Sequence, residues 1–598
     1  MAILDQSDRP AVPRASLLLI GLAWTIPFLQ PYHRYPITSF YSEWLALALG
    51  LAAAAALLRR EAWRDATMPL IALAPLALAV LLAVQVALDR VPYAEQALTA
   101  GLYLLWASLM ALLGHVLGRQ LKVETVARTL AWFLLAGGLI QAVIGLLQHY
   151  QVSTPLDFLV ARKAWMAVFG NVGHPNHYAA IITLALASAG YLYGRGVLAG
   201  AAAAACAAPL LAVLALAGSR SPWLYLVLLA ALALLLHRLR REAASRRLAV
   251  FAGWLLPGFV AADLVMTLPF LTPTETLPPL TSAERLFQGA SSASSRLVLW
   301  GEAWQMFLAA PVLGAGFGQF AWHHFLHQGA GGAPESFELF NHAHNIVFQL
   351  LAETGIAGAL VVVGAAAAWL AGLRRVRFDP EWWWMLSLVG VIGLHSLFEH
   401  PLWYAYFLGP AALLLGLGAQ RPLAVRFPGA GRAAVALAIA VGCVNLVAVI
   451  PAYRDFERLV FSSSPRASQS SSDAAFGEAL MKVHAEPLLR PYVELAIAYG
   501  VSVDREQLGE KLELVTRVVH FAPVDLLVYR QALLLALVGN EATAREQLER
   551  AMHVYPGERV KLIAELKQLA QRYPSELTRL LEWATLKIAE RRAALDGR

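Results

Sequence analysis

The segment Asn341-His342-Ala343-His344-Asn345 carries the residue types best suited to chemistry in this chain. An imidazole can take up a proton near neutral pH. An amide beside it can orient the ring or a substrate hydroxyl. The segment closes a polar, aromatic stretch and opens the apolar run Ile346-Val347-Phe348-Gln349-Leu350-Leu351. The same residues could instead form the N-terminus of that helix and satisfy its free backbone N–H groups. Two arginines, Arg220 and Arg296, stand beside serines at expected helix ends. A guanidinium fork with neighbouring hydroxyls suits a phosphate or pyrophosphate, and a helix N-terminus adds to that field. The alternatives are an Arg220 that snorkels to lipid headgroups and an Arg296 that is simply solvated.

The histidines also raise a metal site. His323, His324, His327, His342 and His344 share one stretch, but the H-E-x-x-H spacing of zinc sites and any D-x-D pair are missing, so no metal is expected. Asp263 and Glu353 fall inside apolar runs, where a carboxyl group is costly and should face the protein interior. Glu353 lies nine residues beyond His344, about 13 Å deeper along a helix. That suits structural hydrogen bonding better than contact with the histidine.

These residues must be held by membrane helices. Of 598 residues, 59% are hydrophobic and 15% charged, and the mean hydropathy is +0.57. A soluble domain carries about 25% charged residues, so the chain is read as an all-α, polytopic membrane protein. Its net charge of +7 is explained by basic loops beside membrane helices and requires no nucleic acid. Cys206 and Cys443 sit in apolar runs, and no disulfide is expected. The first apolar run is expected to act as an anchor, not as a cleaved signal.

Runs long enough to span a bilayer lie near 14–30, 43–58, 68–88, 94–117, 125–148, 177–194, 197–218, 222–237, 248–270, 345–372, 382–398, 402–419 and 433–452, about thirteen in all. Every second connection is basic. These connections carry Arg59, Arg60 and Arg64; Arg119, Lys122 and Arg128; Arg195; Arg238 to Arg247; Arg374, Arg375 and Arg377; and Arg421, Arg426 and Arg432. Basic loops stay in the cytoplasm. The N-terminus is then expected inside, and the segment after the last span outside. The six other connections, including the long one at about 271–344, would share the outer face. They hold His174, Asn176, Arg220, Arg296, His342, His344 and Glu399.

From about 455 charges return and the apolar residues become helically periodic. Arg517-Val518-Val519-His520-Phe521-Ala522-Pro523 recurs as Arg550-Ala551-Met552-His553-Val554-Tyr555-Pro556, a period close to that of tetratricopeptide (TPR) repeats. The expected organisation is a membrane domain at 1–454 and a small helical, TPR-like outer domain at 455–598. A generic helical cap is the alternative for the latter.

His344-Asn345 followed by Gly355-Ile356-Ala357-Gly358 resembles the histidine motif of the bacterial O-antigen ligase superfamily, and Arg220 with Leu224 its arginine motif. Trp24, Pro27-Phe28, Phe40 and Glu43-Trp44 resemble the first segment of one branch, the protein O-oligosaccharyltransferases that glycosylate pilins and other exported proteins. So do Gly170-Asn171, His174-Pro175-Asn176 and His395-Ser396 through Glu399-His400-Pro401-Leu402-Trp403. The resemblance implies a GT-C-like ligase fold in the bacterial inner membrane, with the outer face and C-terminus periplasmic. It implies transfer of a glycan from undecaprenyl pyrophosphate to a Ser or Thr hydroxyl of an exported protein such as a pilin, without cofactor or metal. His344 would be the base and Arg220 and Arg296 the pyrophosphate ligands. Asn345, His342, Asn176, His174 and Glu399 would position substrate. Ligation to lipid A core and glycan polymerisation are the neighbouring activities. A lipid-linked glycan transporter is a different class, and it would show paired repeats and broken helices at mid-membrane.

Overall fold

A computed structural model of the protein describes residues 11–65, 67–162, 167–268, 270–271, 290–328, 339–462 and 473–596. Each of the thirteen apolar runs lies on helix. Among the described residues, nine helices are long and apolar enough to cross a membrane unaided, from Ala11–Leu29 to Pro428–Phe461. Gly200–Leu216 and Ala405–Leu417 are apolar but shorter. The Pro175–Gly194 and Pro380–Ser396 helices are sheltered by their neighbours. Pro175–Gly194 packs on the Val123–Tyr150, Gly200–Leu216, Ser221–Arg240, Ala243–Met266 and Pro380–Ser396 helices, and His177 to Leu192 are buried without a break. A helix enclosed by protein has no need of a lipid-facing apolar surface. The lipid-exposed spans, Ile346–Arg375 and Pro428–Phe461, have the fewest buried residues. Backbones approach closely where the core is tightest. A Cβ at Gly416 would collide with the Ala111 carbonyl, so the Ala405–Leu417 and Ala94–Leu121 helices touch through bare backbone.

The Ile346–Gly372 helix is broken at Gly355, where φ is +63° and ψ −162°. The break frees backbone groups, and in a membrane they need protein partners. A loop from the long connection that precedes this helix supplies them. Ile356 N–H donates to the Pro311 carbonyl (2.8 Å) and Ala357 N–H to that of Val312 (3.1 Å). The Ala352 and Glu353 carbonyls accept from Ala315 N–H (2.9 Å) and Gly316 N–H (3.2 Å). Gln85 closes the junction, donating to the Leu313 and Glu353 carbonyls at 2.6 and 2.7 Å. Glu353 is buried there and accepts from Phe320 N–H (3.2 Å), the structural hydrogen bonding expected of it. The sequence reading foresaw no such break.

The connections sort into two groups. The basic ones meet each other. Thr67–Pro69 pairs antiparallel with Pro422–Ala424, Arg195 bridges Glu124 (2.7 Å) and Glu381 (3.2 Å), and Arg377 meets Glu242 (3.2 Å). The others meet at the opposite helix ends. His33 contacts the Asn171 carbonyl (2.8 Å), Gln85 the Leu313 carbonyl, His344 reaches Glu399, and Tyr93 donates to Glu494 (2.7 Å). The alternation read from charge is therefore a physical separation of two faces.

The Pro428–Ser462 helix runs through position 454 without a break. Beyond it the helices Arg490–Gly500, Leu508–Phe521, Asp525–Leu537, Glu541–Val554, Arg559–Arg572 and Pro574–Asp596 surround a second core that includes Val515, Leu527, Leu533, Leu548, Leu566 and Leu580. Both copies of the repeated heptapeptide end a helix and enter the next turn, as helix–turn–helix units of that period require.

Candidate active site

His344 occupies the turn immediately before the Ile346–Gly372 helix, with φ at +49°. A left-handed conformation is unfavourable for a side chain of this kind and must be imposed by its surroundings. Hydrogen bonds of its two neighbours hold it in place. The Ala343 N–H donates to Gln349 Oε1 (2.7 Å), and the Ala343 carbonyl accepts from Trp300 Nε1 (3.1 Å). The Asn345 side chain caps the helix, with Oδ1 accepting from Val347 N–H (3.0 Å) and Phe348 N–H (3.4 Å). Its Nδ2 donates to the Leu397 carbonyl (3.3 Å). The amide of Asn345 is thus engaged with backbone on both sides. It fixes the histidine's platform, and the helix-cap alternative describes this residue.

Across the loop, His344 Nδ1 lies 3.0 Å from Glu399 Oε2. Glu399 is anchored by its other oxygen, which accepts from Asn176 Nδ2 (2.7 Å) and lies 3.9 Å from Arg296 Nη2. Burial pushes the Glu399 carboxyl up. The hydrogen bond from His344 and the nearby imidazoles of His344, His174 and His395 outweigh that effect and hold it down to about 2. An ionised carboxylate on Nδ1 selects the tautomer whose Nε2 is free to accept a proton. Among the described residues Nε2 has no hydrogen-bond partner, and the His344 side chain is 22% exposed.

The other predicted residues gather around this pair. His342 stacks parallel on His400, ring centroids 4.1 Å apart, with Trp403 edge-on at 5.4 Å. Burial holds His342 well below its ordinary range, lowers His174, and brings His400 to about 4. These three rings are neutral at pH 7, whereas Glu399 is charged. The left-handed turn at His344 brings both loop histidines to the same neighbour, since His344 lies 5.7 Å from the His400 ring. Arg296 contacts the Phe398 carbonyl (3.4 Å) and ring on the far side of Glu399; the side chains of Ser294 and Ser295 lie outside the described residues. Arg220 sits just ahead of the Ser221–Arg240 helix. That helix end is tied to the site by Tyr225, whose hydroxyl contacts His395 Nδ1 (3.0 Å), one turn before Glu399.

His177 Nδ1 in turn lies 2.8 Å from His395 Nε2. His177, His395 and Tyr225 form a buried polar chain that the sequence reading did not assemble. The signal available was polar residues inside otherwise apolar helices. His400 was quoted within the Glu399-His400-Pro401 motif but given no role. His323, His324 and His327 do not join His342 and His344. His324 pairs with Glu302, and His327 Nδ1 contacts the His323 carbonyl (2.7 Å). Among the described residues one group of donors has metal-like spacing, His344, Glu399 and His400, with ligand atoms within 4.8 Å. Two of those atoms are already at hydrogen-bond distance.

A multi-pass helical membrane protein with a histidine–carboxylate pair and arginines on one face is the class that fold and site define. Residues 202–363 match the O-antigen ligase family, and residues 383–570 match the family described as virulence factor membrane-bound polymerase, C-terminal. The first matched segment contains Arg220, Arg296, His342 and His344, and the second contains Glu399 and the helices from Arg490–Gly500 to Glu541–Val554. A general O-oligosaccharyltransferase from Acinetobacter baylyi (strain ATCC 33305 / BD413 / ADP1) is 27% identical over 410 residues, 68% of this chain and 69% of that protein. The chain is thus similar to the O-antigen ligase family over residues 202–363, and over about two thirds of its length to an O-oligosaccharyltransferase.

Proposed function

We propose that the protein transfers a glycan from undecaprenyl pyrophosphate to a Ser or Thr hydroxyl of an exported protein, on the periplasmic face of the bacterial inner membrane. The observation that carries this reading is His344, fixed through Nδ1 by Glu399, with its side chain 22% exposed and Nε2 without a hydrogen-bond partner among the described residues. The acceptor hydroxyl gives its proton to Nε2 as its oxygen bonds to the sugar C1. The bond from C1 to the phosphate oxygen breaks, and its electron pair leaves with the lipid pyrophosphate. Arg296 and Arg220 hold that leaving group and stabilise its growing charge. Pyrophosphate leaves readily, so the reaction proceeds without a metal.

Glu399 and Asn176, first read as substrate-positioning residues, act here through His344, and Asn345 acts as its helix cap. His342 and His174 line the approach. The helices after 490 are a TPR-like periplasmic domain, with the N-terminus in the cytoplasm.

The test is expression in cells that make a lipid-linked glycan, asking which molecule gains sugar. Glycan on Ser or Thr of an exported protein such as a pilin supports the reading. Glycan on lipid A core would make the protein a ligase, and lengthened lipid-linked glycan would make it a polymerase, an activity named by the family that residues 383–570 match.

A further inference from the structure

We propose that the C-terminal helical domain sets the position of His344, acting through the Phe320–Gln328 helix and the buried pair Glu302–His324. The proposal rests on the reading of His344 as the base.

The Phe320–Gln328 helix belongs to two cores at once. One side faces the C-terminal domain. Phe325 is fully buried in that domain's core, Trp322 and Leu326 pack on it, and the Trp322 ring lies 4.2 Å from that of His520. The helix rests on the Leu508–Phe521 and Glu541–Val554 helices. Its other side faces the active-site loop. Phe320 shares a separate cluster with Leu299, Ala303, Met306, Ala343 and Ala352. Ala343, in the middle of the Asn341–Asn345 loop, is fully buried there.

Between the two faces stands His324, also fully buried, with Nδ1 2.5 Å from Glu302 Oε2. Burying such a pair is costly and adds little stability over apolar residues, so a positional role is the better account of it. The His324 ring stacks against Phe320 at 6.0 Å and meets Phe340 edge-on at 6.0 Å. Phe340 meets the His344 ring edge-on at 5.6 Å. A contiguous path therefore runs from His520 through Trp322, the helix, His324 and Phe340 to His344. The loop entrance repeats the arrangement, because Leu339 packs on the C-terminal core while its neighbour Phe340 packs beneath Ala343. The domain is also clamped beside the membrane helices. Glu494 accepts from Tyr93 (2.7 Å) and Arg517 (3.0 Å), and Arg490 pairs with Glu95. A shift of the domain, such as a bound exported protein would impose, must move the ring against which His344 rests.

The experiment is a double-mutant cycle on the full-length purified protein, pairing Trp322→Ala with Phe340→Ala. Turnover and donor KM are measured with lipid-linked glycan and acceptor, beside His344→Ala. Two residues with separate structural roles give effects on kcat that multiply, whereas residues on one path do not. The expected result is a departure from the product of the single effects of about 2- to 100-fold in kcat, with donor KM unchanged. Multiplicative effects, or effects confined to donor KM, overturn the proposal. If an alanine variant is not monodisperse, Trp322→Phe and Phe340→Leu take its place under the same criterion. Normal turnover by His344→Ala would instead remove the base reading itself, and the proposal with it. Loss of turnover by His344→Ala together with multiplicative effects overturns the coupling alone.

Discussion

Glu399→Gln isolates the contribution of one charge to the proposed base. Glutamine keeps the shape of the side chain and an oxygen that can accept from His344 Nδ1, now 3.0 Å away from a carboxylate. The negative charge disappears. Two unit charges at that separation attract by about 5 kcal/mol at an effective dielectric constant of 20, which is a ceiling. The net worth of a hydrogen bond to a charged group is lower, about 1.5–3 kcal/mol. At 1.4 kcal/mol per decade, kcat should fall about 10- to 150-fold. The assay is steady-state transfer by purified protein between about pH 5 and 8. Undiminished kcat in this range would refute the reasoning.

The remaining predictions concern the other groups of the site and the two faces. Arg220→Ala and Arg296→Ala should each weaken donor use about 10- to 150-fold while the protein stays folded, and Arg→Lys should rescue only in part because the fork is lost; unchanged donor KM and kcat in Arg220→Ala would remove that residue from the site. Because the Glu399 carboxyl is held at about 2 in the folded protein against an ordinary 4.5, its stabilising effect should be complete above about pH 4.5 and lost as the pH falls toward 2, a difference from Glu399→Gln visible in acid unfolding of the detergent-solubilised protein. A periplasm-dependent reporter fused after Arg598 should be active, and silence in a stable fusion would reverse the assignment of the faces. Turnover should survive a chelator, and loss of activity restored by a divalent ion would make the His344, Glu399 and His400 group a metal site.

The sequence exposed the chemistry better than its assembly. Helices, their alternating faces and the histidine loop follow from apolar runs and basic connections, because those signals are local. Asn345 was read as substrate-positioning with a helix cap as the alternative, and only the fold brings both ends of its amide against backbone. Glu399 was recognised as part of the site, but its partner lies 55 residues away, and no spacing rule links two loops at that distance. The break at Gly355 was hidden because glycine in an apolar run is common. What decides its geometry is the loop around Val312 that repairs the freed hydrogen bonds. The double membership of the Phe320–Gln328 helix was equally invisible, since only tertiary packing divides Trp322 and Phe325 on one core from Phe320 on the other.

The central claim is that His344 removes the acceptor's proton. It is tested most directly by single-turnover transfer with purified protein, lipid-linked glycan and an exported acceptor, comparing His344→Ala and His342→Ala with the unaltered chain. Loss of a general base costs about 10²–10⁴-fold, so His344→Ala should lose transfer by at least that factor. His342→Ala, whose ring stacks on His400 beside the base, should lose less. Transfer by His344→Ala at the unaltered rate would contradict the account and leave an arginine-only or substrate-assisted reaction in its place.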